Sequence, residues 1–444
     1  MGCGGADPQS LKMKTSLSDH EIRSAAAPLE ASLARFAKRF PGESGARQPV
    51  HTVYGGAQLF KSDTTQKLGL LALKALDQHA PDAATLADVI GLDRAYADVV
   101  YARVVEKLRR EPVEDFRIDF EDGYGNRPDD EEDNDAALRA RELATGMQNG
   151  TISPFVGIRI KPFSQELMRR GVRTFDIFVT SLLEAAGKLP PWFVITLPKI
   201  QLPEQVTLLI DLFERMEQKL GLNEGALKME FMIETTQSIL NERGGSNLPL
   251  FLEAARGRCV AAHFGTYDYT ASCNITAAHQ RMDHPSCDFA RQNMQVAYSG
   301  TGIWLSDGAT NVMPIGDRAT VHRAWRLHVD HIRHSLINGY YQGWDLNPAQ
   351  LPTRYAAVYS FFIENLPAAT ERLRNFIQKA GQATLVGDVF DDAATGQGLL
   401  NYFIRALNCG AITEQEALAT GLTLDELRSR SFVKILQGRR GRAS

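Results

Sequence analysis

The chain is poor in cysteine, and its five (Cys3, Cys259, Cys273, Cys287 and Cys409) include no CxxC pair. That set excludes a disulfide framework and a zinc ribbon, and it points to reduced thiols in a cytosolic setting. No run of 18 apolar residues occurs, so no segment is suited to span a bilayer. The N-terminal MGCGGADPQSLKMKTSLSDH lacks the apolar core of a signal peptide, and Ala6 stands where a myristoylation motif wants Ser or Thr. Long basic stripes are also missing, and 49 Lys and Arg against 53 Asp and Glu leave a net charge of −4. Nucleic acid and anionic membranes are therefore not expected as partners. Gly123-Tyr124-Gly125 is not a dinucleotide fingerprint, because the third glycine is absent, and no Walker-type loop is present.

What the chain does have is a series of short, β-branched apolar runs with charged residues at their C-terminal ends. They are PVHTVYGGA around Thr52, FRIDFEDG around Asp119, FVGIRIKPF around Arg159, WFVITLPKI around Ile195, KMEFMIET around Met232, CVAAHFGTYD around His263 and GIWLSDGATNVM around Trp304. INGYYQGWD, ending at Asp345, is a weaker eighth. From Asp119 onward the runs lie 31 to 41 residues apart, room for one strand, one helix and two loops each time. Eight such units predict an α/β chain closed into a TIM (β/α)8 barrel, with active groups where the strands end.

The first step, Thr52 to Asp119, is long enough for about three helices instead of one. Residues 17–40 carry helical spacing at Ile22, Leu29, Leu33 and Phe36, interrupted by Pro28. Beyond Pro352 the strand signals stop and helical periodicity takes over. The expected organisation is a helical N-terminal extension (1–46), the barrel (47–352) and a C-terminal helical region (353–444).

The fifth run ends in Glu234 and the sixth in Asp268, so both carboxylates should emerge at one face on neighbouring strands. Two bare carboxylates ~4 Å apart repel by about 4 kcal/mol at an effective dielectric of about 20, and a divalent cation removes that cost. So few hard oxygen ligands suit Mg2+ or Mn2+. Arg159, flanked by Gly157, Ile158 and Ile160, needs a partner if it is buried, and its planar fork suits a carboxylate or an enolate oxygen. A structural ion pair is the plainer reading of each of these groups. In the second run Asp119 and Glu121 fall on one face and Asp122 on the other. Asp307, before Gly308, either faces substrate or makes a turn. His263 is read as barrel packing. His328, His331 and His334 share a helix face outside the barrel, and the acidic run Asp129 to Asp133 opens a helix where its charge opposes the dipole.

Taken in order and spacing, DFEDG, GIRIKPF, TLPKI, FMIET and FGTYDYTAS resemble the HpcH/HpaI aldolase and citrate lyase beta-subunit family of pyruvate/phosphoenolpyruvate barrels, over roughly residues 48–350. QPVHTVYGGAQLF, GIWLSDGATN and GWDLNPAQLPTRY resemble a longer, poorly characterised subgroup of it. The resemblance implies metal ligands at Glu234 and Asp268, an enolate-steadying arginine at Arg159, and paired acids at Glu121 and Asp122 that organise water and the metal. It also implies a homo-oligomer and a histidine base at His51, for which a satisfied core histidine is the equal alternative; Arg159, Lys199 and Asp307 are the expected substrate contacts. Where relatives often read PKxE, this chain has Lys199-Ile200-Gln201.

Three readings follow. The first is a cytoplasmic Mg2+-dependent carbon–carbon lyase or aldolase acting on a small oxo or hydroxy acid or its CoA thioester. The second is a Schiff-base aldolase using Lys161 or Lys199. The third is a non-catalytic barrel that binds a small acid.

Overall fold

The computed structural model describes residues 15–378, 384–386, 389–391, 393–429, 431, 434–435 and 438–439. Residues 1–14 of the expected extension, with Cys3 and Ala6, and the terminal 440–444 lie outside these. Eight strands, β1 (His51–Gly56), β2 (Asp115–Asp119), β3 (Phe155–Arg159), β4 (Phe193–Leu197), β5 (Lys228–Ile233), β6 (Cys259–Phe264), β7 (Trp304–Ala309) and β8 (Gln342–Asp345), form a closed barrel in chain order. Every neighbouring pair is parallel, and β1 closes on β8 with His51 opposite Gly343. The expected TIM barrel is the fold.

The helices are α1 (Asp19–Arg39), then α2 (Thr64–His79), α3 (Ala83–Ile90) and α4 (Ala97–Arg110) between β1 and β2. Next come α5 (Asp129–Asn149), α6 (Met168–Ala186), α7 (Pro203–Leu220), α8 (Thr236–Ile239), α9 (Leu248–Ala254), α10 (Thr266–Ser272), α11 (Pro285–Tyr298) and α12 (Arg318–Ile337). After β8 follow α13 (Leu351–Gln378), the antiparallel pair β9 (Thr384–Val386) and β10 (Val389–Asp391), α14 (Ala393–Cys409), α15 (Glu414–Leu418) and α16 (Leu424–Arg428). No helix among the described residues is long and apolar enough to cross a membrane.

The chain divides into two compact units, one of residues up to Glu43 with Ser299–Gly302, the other of Ser44–Tyr298 with everything from Ile303 on. In the first, α1 opens on a capping box in which Ser18 Oγ accepts from the Glu21 amide and the Glu21 carboxylate accepts from the Ser18 amide. In the second, strand alternation sorts the residues. Phe116, Ile118, Val156, Ile158, Ile195, Phe231 and Ile233 point outward into the buried apolar core with the helices, where α6 contributes Phe175, Phe178, Val179 and Leu182 at helical spacing. Each such side chain stabilises the fold by about 1.5–3 kcal/mol when fully buried.

The inner face is polar. Arg117 reaches Glu230 through Nε and Nη2, both at 2.7 Å, and also pairs with Asp115. Glu230 accepts from Thr196 and lies 3.1 Å from His263 Nε2, whose Nδ1 accepts from the Trp344 indole at 3.1 Å. His263 is thus fully buried barrel packing. At the N-terminal end of the barrel Phe155, Ala261 and Trp304 form a small separate apolar cluster, with Trp192 packed at a tilt against both aromatic rings.

Candidate active site

Asp119 ends β2, and the DFEDG turn wraps round its carboxylate. Oδ1 accepts from the Glu121 amide at 2.9 Å and Oδ2 from the Gly123 amide at 2.7 Å. A Cβ at position 123 would lie 2.6 Å from Asp119 Oδ2, so the turn needs glycine there. Asp119 in turn holds Arg159, the last residue of β3, with Nε–Oδ1 at 2.7 Å and Nη2–Oδ2 at 2.5 Å. Arg159 Nη1 lies 2.9 Å from Glu121 Oε2, and the guanidinium sits over the Tyr54 ring at 4.9 Å. Only 4 % of Arg159 is exposed, so the strand-borne arginine is buried and paired at the C-terminal end of the barrel. Burial would raise the Asp119 pKa, but Arg159 and the two amides outweigh it and hold the group below its usual range.

Lys199 follows β4 and carries a left-handed backbone, φ +50°, rare for a residue with a side chain. This conformation aims its amide at Glu234, where Oε1 accepts at 2.8 Å. Its ammonium pairs with Glu121 and lies 3.5 Å from Asp122 and 3.6 Å from Asp268. Burial opposes the charge on Lys199, yet Glu234 and Glu121 beside it raise its pKa well above the ordinary value. A Schiff-base nucleophile needs the opposite shift. Lys161 is sealed off, donating to the Phe120 carbonyl at 2.8 Å and pairing with Glu132 at 2.9 Å.

Glu234 follows β5 and is 1 % exposed. Burial and the nearby Glu121 and Asp268 push its pKa up to about 8, Lys199 offsetting only part of the effect. Room for it comes from Gly265, where a Cβ would meet Glu234 Cβ at 2.5 Å and Oε2 at 2.6 Å. Asp268 stands in the first turn of α10. The barrel end therefore gathers Asp119, Glu121, Asp122, Glu234 and Asp268 around two cations, Arg159 and Lys199.

Among the described residues no group of three or more His, Cys, Asp or Glu side chains is arranged to hold a metal ion. The donor set nevertheless fits a divalent ion completed by water and substrate. Five carboxylates stand there against two cations, and Glu121 and Asp268 add to the burial that raises the Glu234 pKa.

Two expected site residues lie elsewhere. His51, expected as the base, is the first residue of β1 and fully buried. Its Nδ1 lies 2.6 Å from Asp345 Oδ2, and its Nε2 accepts from the Glu114 amide at 3.0 Å. With both ring nitrogens engaged, it cannot reach a substrate at the barrel end. Asp307, expected to touch substrate, points into the helix layer, where Arg291 Nη1 reaches its oxygens at 2.9 and 2.6 Å and Ser335 donates at 2.6 Å. On α12, His328 contacts Thr353 and Asp345, His331 contacts Thr310, and His334 contacts Asp288. The acidic run meets α6, Asp133 pairing with Arg170 and Glu132 accepting from Thr174. Tyr54 was not singled out from the sequence. Its place two residues after Thr52, on the inward face of β1, was the available signal.

A family model described as "Domain of unknown function (DUF6986)" matches residues 29–435. No curated protein matches the chain. Among solved structures, a citrate lyase from Burkholderia xenovorans LB400 is 21% identical and covers 84% of this chain and 96% of its own, with a TM-score of 0.55. At that identity the likeness speaks for the barrel fold alone. A malate synthase from Haloferax volcanii, in a magnesium and glyoxylate complex, is 15% identical and covers 88% of this chain and 97% of its own, with a TM-score of 0.47.

Proposed function

The chain belongs to the DUF6986 family, and from that premise we propose that it is a Mg2+-assisted carbon–carbon lyase or aldolase of the citrate lyase beta-subunit kind. Its substrate is a small oxo or hydroxy acid or the CoA thioester of one. The observation that carries the proposal is a rigidly held Arg159 beside a cluster of carboxylates, Glu234 and Asp268 among them, that outnumbers its cations. Glu234 and Asp268 would hold the ion. When bound, Mg2+ would offset that negative charge and polarise a carbonyl oxygen as a Lewis acid.

The chain's own groups do the rest. Nε and Nη2 of Arg159 are fixed on Asp119 and Nη1 lies 2.9 Å from Glu121, so the guanidinium is oriented before substrate arrives, and the N–H groups not aimed at these carboxylates are left for an oxyanion. In cleavage, the substrate hydroxyl gives its proton to a base, the carbon–carbon bond breaks, and its electron pair moves onto the neighbouring carbonyl as an enolate. Glu121 is the acceptor we assign to that proton, because its buried carboxylate stands at the barrel end between Arg159 and Lys199. Asp122, 61% exposed, lines the approach.

Enolate formation can be read without knowing the full substrate. In D2O with Mg2+, the methyl protons of pyruvate or acetyl-CoA are expected to exchange, with exchange lost on adding EDTA and in Glu234→Gln. Exchange that survives EDTA, or covalent trapping by borohydride, would instead favour the lysine route.

A further inference from the structure

The side chain standing among the acids at the barrel end is the ammonium of Lys199. It pairs with Glu121 and lies 3.5 Å from Asp122 and 3.6 Å from Asp268, while its own amide is fixed on Glu234 at 2.8 Å. A divalent ion held by Glu234 and Asp268 would come close to this like charge. Of the two cations present, only one can yield. Arg159 is 4 % exposed and bound through two nitrogens to Asp119. The Lys199 side chain is 29% exposed, sits on a flexible four-carbon stem, and has in Asp122, 61% exposed, a partner on the solvent side.

We propose that Lys199 is a tethered counter-ion, which keeps the acids of the metal-free site together and swings outward onto Asp122 when a divalent ion binds. The left-handed backbone fits this role: it lets one residue hold Glu234 through its amide and leave the ammonium free to move. Lys199 is then a positioning residue that sets metal affinity. The inference rests on the metal reading above.

The test uses the full chain stripped of metal and titrated with Mn2+, with free Mn2+ followed by electron paramagnetic resonance. Lys199→Asn removes the charge while keeping a residue that tolerates left-handed backbone. It is expected to bind Mn2+ about tenfold or more tightly than the unaltered chain. Lys199→Arg keeps the charge and is expected to bind no more tightly. A second measurement needs no variant: an N-hydroxysuccinimide ester should acetylate Lys199 several-fold faster with Mn2+ present, read by mass spectrometry. If Lys199→Asn binds no more tightly and the acetylation rate is unchanged, while Glu234→Gln still abolishes binding, the counter-ion role is overturned and the metal reading stands. If Mn2+ binds neither the unaltered chain nor Lys199→Asn, or binds Glu234→Gln as well as the unaltered chain, the metal reading fails and the counter-ion role with it.

Discussion

A guanidinium that spends Nε and Nη2 on one carboxylate presents its remaining donors at fixed angles, and no ammonium can copy that. Arg159→Lys therefore keeps the charge but loses the fork. The expected result is a fall in the enolate exchange rate of about 10²- to 10³-fold, the usual cost of removing a preorganised oxyanion donor. Mn2+ affinity should change little, because Arg159 is not among the ligands we assign. Comparable losses in both readouts would mean that Arg159 maintains the site instead of serving the reaction.

At the scale of elements, the β6-to-α10 junction carries a sharp steric demand. Gly265 leaves the space that Glu234 fills, so Gly265→Ala should displace that carboxylate, lower Mn2+ affinity by at least about tenfold, and cost about 1–3 kcal/mol of stability as an overpacked site. Urea melts read beside Mn2+ titrations check both; retained affinity would show that the space is not needed. The eight strands were legible because each ends in charged or glycine-containing turns, and even the four-residue β8 left its mark at Asp345. The gathering at Arg159 was legible too, since side chains on one face of parallel strands converge where the strands end. Three features were missed. Alternation with the inward Thr52 and Tyr54 turns His51 outward; it was the family resemblance, not the strand period, that pointed to it as a base. In β7 Ser306 stands opposite the inward His263, so alternation turns Asp307 toward the helices, which the Asp-Gly pair read alone does not tell. Lys199 at φ +50° is a third such case, because nothing in TLPKI marks a left-handed lysine.

Across the whole molecule, a buried charge network joins three layers of structure. Asp345 of β8 accepts from His51 of β1 and Arg354 of α13 and meets His328 of α12. Burial would raise the Asp345 pKa, but Arg354 and the two imidazoles hold it well below its usual range. Burial lowers the pKa of His328, with the Asp345 contact opposing only in part. Both shifts give stability that is complete above the unfolded pKa and is lost as pH falls through the folded one. Against Glu234, whose raised pKa acts in the opposite sense between about pH 8 and 4.5, His328 contributes a decline in unfolding free energy below about pH 6.5, where the unfolded chain takes up a proton that folded His328 refuses, and Asp345 contributes another below about pH 4. Each proton contributes a slope of up to about 1.4 kcal/mol per pH unit. His331 and His79 are shifted the same way, so His328→Gln should flatten the upper stage without abolishing it. Denaturant melts at stepped pH read this directly, and an unchanged upper slope would remove His328 from the account.

The aromatic cluster of Phe155, Trp304 and Trp192 at the foot of the barrel has a kinetic consequence. With the floor closed, whatever reaches Arg159 leaves through the doorway by which it came. Were the proposed cleavage to occur there, both of its fragments would share that one exit.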